Sequence, residues 1–433
     1  MKFFSTNRKS ELVDFRNAVI NGIADDGGLY LPVEIPKLPD SFFSNLNSFS
    51  FHKIALTVTE LFVDGITKND LKKIIQDSFN FPVPTVQLDE NFSILELTHG
   101  PTLAFKDFGA RFMANTLSHF VKNANDEIVI LVATSGDTGS AVANGFYNVE
   151  GIKVVLLYPS GMVSKIQEQQ LTTLGGNITA LEIEGTFDDC QRLVKEAFAD
   201  LNLKKNLNLT SANSINIARL IPQSLYYFYS YGQLQKRNKP IVFSVPSGNL
   251  GNLTGGILAF KMGLPVSKFI AAANANKVFP DYLKSGKFIP QPTIKTISNA
   301  MDVGNPSNFA RISSIFLNQS DNAGKVIFSD SFSDEDTYNA IREVYSKYNY
   351  VIDPHGAVGY LADRKYSMEY GNDFISIILE TAHPAKFASE IEKALGINIE
   401  IPDRLKSCLN KEKQSIKLSK EFSELKSFLL ETK

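Results

Sequence analysis

The chain has 433 residues, of which 43% are hydrophobic and 21% charged, and 44 Lys and Arg against 46 Asp and Glu give a formal net charge of −2. This balance argues against a protein that holds nucleic acid through many phosphate contacts. Two cysteines exclude a disulfide framework, and no Cys/His set has zinc spacing, so we expect no metal site. The polar start and the short apolar runs predict a cytoplasmic protein that does not enter a membrane.

The first 90 residues combine turn signals with short helical patterns. The run Asp25-Asp26-Gly27-Gly28 and the prolines that follow it mark turns, and a helical pattern occupies residues 70–79. We therefore predict a mainly helical N-terminal region over residues 1–90.

From residue 91 onwards, short apolar runs alternate with amphipathic stretches. The runs are apolar on both faces, which is typical of parallel strands covered by helices on both sides. Residues 187–201 have the apolar stripe of one such helix. The pattern predicts an open α/β architecture with ligands bound beyond the carboxyl ends of the strands. We assign one α/β domain to residues 91–235 and a second to 236–433, with residues 411–433 as a solvated helix. The predicted strands are 128–133, 154–157, 241–245, 269–273 and 374–379.

Two glycine-containing loops follow predicted strands and precede predicted helices. They are residues 133–141 and 245–256, and neither is a Walker A or a GxGxxG sequence. Free N–H groups and the positive end of a helix would make either loop a site for a carboxylate or a phosphate. A tight turn between strand and helix explains either loop equally well when it is taken alone.

Lys106 stands in an apolar context, with Phe105, Phe108 and Phe112 around it. A lysine that loses hydration has a lowered pKa, and its neutral amine can form a Schiff base. Taken alone, a surface lysine whose stem lies on aromatic rings is the commoner explanation.

Three further segments carry polar residues. Residues 209–219 place Ser and Asn side chains and one Arg before an apolar run, a combination that suits a phosphate dianion. Residues 298–308 form a turn-rich loop. Residues 380–387 follow a predicted strand and contain a threonine hydroxyl followed by a histidine. We expect the histidines at 99, 355 and 383 to be structural residues that form hydrogen bonds.

Together these segments resemble the threonine synthases, pyridoxal-phosphate-dependent enzymes with the tryptophan-synthase-β-like fold, also called fold type II. The resemblance implies two open α/β domains of that kind and an extra, mainly helical N-terminal region. The segments that carry it occur in the family's order and are residues 26–30, 99–108, 133–141, 213–216, 247–251, 300–302 and 381–387.

The resemblance implies a cofactor, pyridoxal 5'-phosphate, and residues that bind it. Lys106 would be the catalytic residue and would hold the cofactor as a Schiff base, with Asp137 near the phenolic oxygen. Thr381 would face the ring nitrogen, where a hydroxyl favours elimination and replacement over transamination. The family usually has Phe at the place of Leu250, and related enzymes often have Asn at that of Asp137. The cofactor phosphate would lie on Ser247, Gly248, Asn249, Leu250, Gly251 and Asn252.

The resemblance also implies a substrate, O-phospho-L-homoserine, and the residues around it. The carboxylate of the substrate would be bound by Ser135, Gly136 and Thr138. Residue chemistry and the shared motifs together suggest a site for its phosphate, formed by Ser214, Asn216 and Arg219 with Asn305 and Ser307.

The implied reaction converts O-phospho-L-homoserine and water to L-threonine and phosphate by γ-elimination and β-addition, the last step of threonine biosynthesis. We expect a monomer or homodimer whose partner is this small molecule. The nearest alternative is a serine/threonine dehydratase or another fold type II lyase. The 213–219 cluster and the long region before Lys106 argue against this alternative. A cofactor-binding homologue without catalysis is a further alternative, but every motif position carries a competent residue.

Overall fold

Three β-sheets and the helices that cover them make up the described part of the chain. The computed structural model describes residues 1–121, 127–234 and 239–431. Its strands are β1 (Phe3–Ser5), β2 (Tyr30–Pro32), β3 (Thr85–Gln87), β4 (Phe92–Glu96), β5 (Ile128–Ala133), β6 (Ile152–Pro159), β7 (Ile178–Glu184), β8 (Asn208–Ser211), β9 (Ile241–Pro246), β10 (Lys268–Ala273), β11 (Ile327–Ser331), β12 (Ile375–Glu380) and β13 (Ile416–Ser419).

The helices alternate with these strands over most of the chain. They are α1 (Phe15–Asn21), α2 (Asp40–Ser44), α3 (Phe51–Thr59), α4 (Lys68–Ser78), α5 (Lys106–Val121), α6 (Asp137–Phe146), α7 (Lys165–Thr172), α8 (Phe187–Ala199), α9 (Leu201–Asn206), α10 (Ile217–Leu220), α11 (Leu225–Leu234), α12 (Gly251–Lys261), α13 (Val278–Ser285), α14 (Phe309–Ile315), α15 (Ser320–Val326), α16 (Asp334–Tyr348), α17 (Pro354–Tyr370), α18 (Ala388–Leu395), α19 (Asp403–Leu409) and α20 (Phe422–Glu431). Short 3-10 turns cover Leu46–Ser48, Ile221–Ser224, Asn299–Met301 and Pro384–Phe387.

Two of the sheets are built mainly from parallel strands. The larger has the strand order β11-β10-β9-β12-β4-β3, in which only β3 is antiparallel to its neighbour. The smaller has the order β13-β7-β6-β5-β8 and is parallel throughout. Strands β5, β9 and β12 are buried at every position, as expected for strands covered on both faces. The predicted α/β architecture is confirmed, and each predicted strand falls on an observed one.

The two large sheets take strands from distant parts of the sequence. Strands β3 and β4 come from residues 85–96 and join the sheet of β9 and β12, and β13 joins the sheet of β5 to β8. The domain divisions after residues 90 and 235 stay a prediction, and the second lies outside the described residues.

The N-terminal region packs directly on the α/β frame. Its strands β1 and β2 form a two-stranded antiparallel sheet, and the helices α1, α3 and α4 contact α5 or α11. Aromatic rings fill this contact, with Phe51 and Phe79 against Phe108 on α5. The region thus shares one core with the frame, which fixes its position relative to the loops beyond the strands.

The C-terminal segment corrects one expectation. Residues 411–433 were expected to form a solvated helix, but residues 416–419 form β13, and α20 buries Leu425 and Leu429 against the smaller sheet. Half of the residues of α20 are apolar, and their burial against α8 and the smaller sheet shows that this helix is not solvated on all sides. Among the helices described, none combines the length and the apolar character needed to cross a bilayer.

Candidate active site

A cavity of about 1010 Å3 lies where the loops beyond the strands of both large sheets meet the N-terminal region. From the N-terminal region it is lined by Asn21, Gly27 and Gly28. It also brings together most of the site residues predicted from the sequence, namely Lys106, Ser135, Thr138, Ser214, Arg219, Gly248, Asn249, Leu250, Gly251, Asn252, Asn305, Ser307 and Thr381. Gly136, Asp137, Asn216 and Ser247 are outside the lining and lie behind it.

Lys106 is the first residue of α5, and backbone pairing places it beside Thr381. The N–H of Phe105 donates to the carbonyl of Thr381 at 2.9 Å, and the N–H of His383 donates to that of Leu103 at 2.9 Å. Residues 103–105 thereby run alongside the end of β12. Two cavity-facing residues 275 positions apart in the chain, Lys106 and Thr381, are held together by main-chain bonds that do not depend on their own side chains.

The amine of Lys106 is in a setting that favours its neutral form. Burial lowers the pKa of Lys106 to about 8, and the charges of Lys386 and Arg219 lower it while those of Asp137 and Asp353 raise it. An opposing contact comes from Phe105, whose ring centre lies 5.3 Å from Nζ and whose face attracts the ammonium form. A lysine with such a pKa has an appreciable fraction of nucleophilic amine near neutral pH.

The loop between β9 and α12 presents unpaired backbone donors to the cavity. Within the part of the chain that the structure describes, the N–H groups of Gly248, Asn249 and Leu250 donate to no other group. Leu250 caps α12 in a left-handed conformation, with φ 59° and ψ 9°. The positive end of an 11-residue helix therefore adds to these N–H groups and favours an anion here.

A second loop packs closely on Gly248. A Cβ atom on this glycine would lie 2.6 Å from the Cα of Met301, so only glycine fits. The partner loop is closed by Asp302, which accepts hydrogen bonds from the N–H of Thr296 and from Asn274, both at 2.9 Å. Burial raises the pKa of Asp302 to about 6.

Side chains fix the loop from its other side. Asn249 donates to the Ser214 hydroxyl at 2.8 Å and accepts from the N–H of Ser307. Asn252 accepts from the hydroxyls of Tyr226 and Tyr227 at 2.7 and 2.8 Å. Its buried Nδ2 has no partner among the described residues.

The loop between β5 and α6 has the same design. The Thr134 hydroxyl accepts from the N–H groups of Gly136 and Gly139 at 3.0 and 2.7 Å, and Gly136 has φ +130°, a conformation that favours glycine. The N–H groups of Ser135 and Thr138 have no acceptor within the described chain and lie at the start of α6. They suit a carboxylate.

Asp137 does not line the cavity, and its carboxylate forms a buried ion pair. Its Oδ1 lies 2.6 Å from Nζ of Lys386 and accepts from Gln167 at 3.0 Å. Burial alone would raise the pKa of Asp137, but the charges of Lys386 and Lys106 outweigh it and hold that pKa below its ordinary value.

The 213–219 cluster divides into residues that face the cavity and residues that support them. Arg219 lines the cavity, donates to the carbonyl of Ala212 and lies 3.5 Å from that of Lys106, and its buried Nε has no partner among the described residues. Burial lowers its pKa to about 10. The side-chain amide of Asn216, by contrast, caps α10 and donates hydrogen bonds to the carbonyls of Val19 and Ser211.

Lys386 and Arg311 were not predicted as site residues. Lys386 lies within the segment 381–387 that the sequence singled out, but nothing local distinguishes it from a surface lysine. Arg311 is fully buried on α14 and donates to the carbonyls of Tyr30, Ser214 and Ile215. Only these long-range contacts reveal its place, so no signal in the sequence would have found it.

The three histidines expected to be structural all form hydrogen bonds. His99 is 2.7 Å from Glu96, and His383 accepts from the N–H of Ala385. His355 pairs with the buried Asp353 and accepts from the N–H of Ala300, which fixes its ring although it lines the cavity.

The residues present fit pyridoxal 5'-phosphate. A phosphate group requires N–H donors and closely approaching backbone, which the Gly248 loop and the unpartnered Asn252 amide offer. An aldehyde requires an amine with a neutral fraction, which Lys106 offers in the same cavity. Both requirements are therefore met by groups that line one space.

Comparisons with known proteins agree with this arrangement. The chain matches the families described as "Threonine synthase N terminus" over residues 2–79, "Pyridoxal-phosphate dependent enzyme" over 83–379 and "Threonine synthase, C-terminal" over 356–429. It is 41% identical to the threonine synthase of Buchnera aphidicola subsp. Acyrthosiphon pisum, with all of both chains covered. A crystal structure of threonine synthase from Escherichia coli superposes with a TM-score of 0.94 at 40% identity and covers 100% of both chains. A PLP-bound threonine synthase from Brucella melitensis superposes with a TM-score of 0.91 at 32% identity, covering 100% of this chain and 99% of that one.

Proposed function

The chain belongs to the threonine synthases, a family of pyridoxal-phosphate-dependent enzymes, and we propose that it converts O-phospho-L-homoserine and water to L-threonine and phosphate. The observation that carries this proposal is the single cavity in which Lys106 faces two helix-capping loops and the Ser214–Arg219 cluster. A substrate with a carboxylate and a phosphate, beside a cofactor with its own phosphate, requires three anion sites around one amine.

We assign these anion sites to separate groups. The loop 247–252 binds the cofactor phosphate, and the N–H groups of Ser135 and Thr138 bind the substrate carboxylate. Ser214 and Arg219, with Asn305 and Ser307 at the same cavity wall, bind the substrate phosphate. A guanidinium supplies charged, forked donors that suit a phosphate dianion. Gly136 and Asn216 act indirectly, because they fix the backbone conformation of the segments that bind these anions.

Bound pyridoxal phosphate supplies an electron sink that stabilises negative charge on the substrate carbons. The Lys106 amine moves protons at Cα and Cβ of the substrate, for which its lowered pKa suits it. Phosphate leaves from Cγ, where Arg219 balances its charge, and water then adds at Cβ. Thr381, which lines the cavity, would offer the ring nitrogen an uncharged hydroxyl, and this would disfavour transamination.

The alternative of a serine/threonine dehydratase or another lyase of this fold is less well supported. The N-terminal residues 2–79, which match the N terminus of threonine synthases, contribute Asn21, Gly27 and Gly28 to the cavity wall. A smaller lyase does not require this wall.

The test is an assay of both products from O-phospho-L-homoserine. We expect equimolar phosphate and L-threonine from the wild type and none from Lys106→Ala, whereas Lys165→Ala, an exposed lysine on α7, keeps full activity. The wild type should also show a near-visible absorption band that borohydride abolishes and that Lys106→Ala lacks. Turnover of serine without phosphate release would favour the dehydratase instead.

A further inference from the structure

The ion pair between Lys386 and Asp137 is buried beside Lys106, and the reaction steps of the proposed function do not use it. Lys386 has a fully buried side chain, and that of Asp137 is 2% exposed. A buried pair of this kind costs desolvation energy on both partners and is weak evidence for a contribution to stability. Its position therefore calls for an explanation other than stability.

The contacts of the pair show which cation the Asp137 carboxylate binds. Oδ1 of Asp137 is engaged by Lys386 at 2.6 Å and by Gln167 at 3.0 Å. The Lys386 ammonium is fixed in turn by the carbonyl of Thr102 at 3.0 Å. Among the ion pairs of residues 1–121, 127–234 and 239–431, Asp137 is joined to Lys386 and not to Lys106.

We propose that Lys386 is a positioning residue that keeps the carboxylate of Asp137 from pairing with Lys106 and so leaves Lys106 free to act as an amine nucleophile. Without Lys386, Asp137 would be a buried carboxylate, and Lys106 is the other cation whose charge acts on it. An ion pair between them would hold Lys106 as an ammonium ion, which cannot attack a carbonyl carbon. The inference rests on the proposed role of Lys106 as the amine that binds the cofactor.

The charges around Lys106 come from several elements, and each has a known sign. Asp137 on α6 and Asp353 before α17 favour the ammonium, and Lys386 and Arg219 disfavour it. His355, which lines the same cavity, is fixed by Asp353. Lys386 thus has two effects, because it repels a positive charge on Lys106 directly and also pairs with the carboxylate of Asp137.

The experiment titrates Lys106 itself in the full-length chain after removal of the cofactor. The rate of acetylation of Lys106 by acetic anhydride, followed by mass spectrometry of the peptide that contains it, is measured between pH 6 and 10. We expect a midpoint near 8 for the wild type. Lys386→Met should move the midpoint upward and slow labelling at pH 7 about tenfold or more, as expected when an opposite charge becomes a partner.

Two variants separate positioning from mere packing. Lys386→Arg keeps the cation and should keep the wild-type midpoint, and Lys386→Met/Asp137→Asn removes both charges and should bring the midpoint back towards the wild-type value. The matched control is Lys413→Met, which removes a lysine paired with Glu168 and Glu182 outside the cavity. It should leave the midpoint unchanged.

A Lys386→Met variant that is folded, with a lowered melting temperature but an unchanged midpoint, would overturn the proposal, because the pair would then be structural only. Should Lys386→Met not fold, Asp137→Asn decides: loss of the carboxylate must lower the midpoint, and an unchanged value overturns the proposal. The titration requires no turnover. Failure of the proposed function, seen as absent product, is therefore distinguishable from failure of this inference.

Discussion

Asn249 donates a hydrogen bond from Nδ2 to the Ser214 hydroxyl across 2.8 Å. The bond joins the loop after β9 to the segment before α10, 35 residues apart in the chain. Ser214 also accepts from Asn308 at 3.2 Å. One hydroxyl therefore couples the proposed site for the cofactor phosphate to the proposed site for the substrate phosphate.

Replacement of this hydroxyl should weaken both sites together. Ser214→Ala leaves two amide donors without their acceptor, a loss of about 1 kcal/mol for each neutral hydrogen bond. We expect the Kd of the cofactor and the KM of the phosphorylated substrate each to rise about fivefold. Absorbance titration and steady-state kinetics measure these effects. Ser313→Ala removes an exposed serine hydrogen bond on α14 and should change neither; a change in only one constant would contradict the coupling.

The close approach at Gly248 predicts a loss of cofactor affinity. In Gly248→Ala the new Cβ would meet the Cα of Met301 at 2.6 Å, and backbone cannot yield as a flexible side chain can. The loop must shift, so we expect the Kd of pyridoxal phosphate to rise at least about tenfold, a cost of about 1.4 kcal/mol. Gly324→Ala is the control: it adds a Cβ to α15 with no atom within 4 Å. It should leave affinity unchanged and stabilise the fold by up to about 1 kcal/mol. Unaltered affinity in Gly248→Ala would show that the loop does not hold the phosphate.

Arg219 is expected to act mainly on the substrate. Arg219→Ala removes the charged donor beside the proposed substrate phosphate, and we expect KM to rise about tenfold or more while the cofactor Kd stays the same. The change also removes a cation that lowers the pKa of Lys106, so the acetylation midpoint of Lys106 should rise. Arg219→Lys keeps the charge without the fork and should give an intermediate KM. An unchanged KM in Arg219→Ala would exclude the assigned role.

Arg311 links stability to the site. Its guanidinium donates to the carbonyl of Tyr30 on β2 and to those of the neighbouring residues Ser214 and Ile215. A lysine cannot reach carbonyls in both of these segments at once. Arg311→Lys leaves buried acceptors unpaired and should lower the free energy of unfolding by about 2 kcal/mol or more. Urea denaturation measures this loss, and a raised KM should accompany it because Ser214 is displaced. Arg342→Lys, on the exposed face of α16, should alter neither quantity.

A buried carboxyl on α17 predicts a pH-dependent gain in stability. Burial raises the pKa of Asp363 from 3.8 to about 6, and its Oδ1 accepts from the Ser376 hydroxyl. A raised folded-state pKa means that the protonated carboxyl contributes its full stability below 3.8 and loses it as the pH rises through 6. Asp363→Asn should therefore stabilise the protein at pH 8 by about 1–3 kcal/mol, and this gain should shrink towards pH 4.

Urea denaturation at several pH values tests this dependence on pH. The control is Asp373→Asn, at a side chain that is 94% exposed, for which no comparable gain is expected. A gain of equal size at pH 4 and pH 8 would rule out ionisation of Asp363 as its cause.

The local elements of this protein could be predicted from its amino-acid sequence. Continuous apolar runs predicted β5, β6, β9, β10 and β12, because strands covered on both faces have no polar side. Glycines after β5 and β9 marked the two loops, because a loop that approaches an anion requires free backbone. The aromatic context of Lys106 and the order of the motifs indicated the family.

The contacts between these elements follow from the packing of the folded chain. Main-chain pairing brings Thr381 beside Lys106, and a side-chain ion pair joins Lys386 to Asp137, although hundreds of residues separate the members of each pair. Asn216, which looked like a ligand, caps a helix instead, and β13 completes the smaller sheet. A sequence pattern reports the burial and turning of neighbouring residues, whereas the choice of a distant partner depends on the packing of the whole chain. For that reason the ion pair beside Lys106 became visible only in the folded chain.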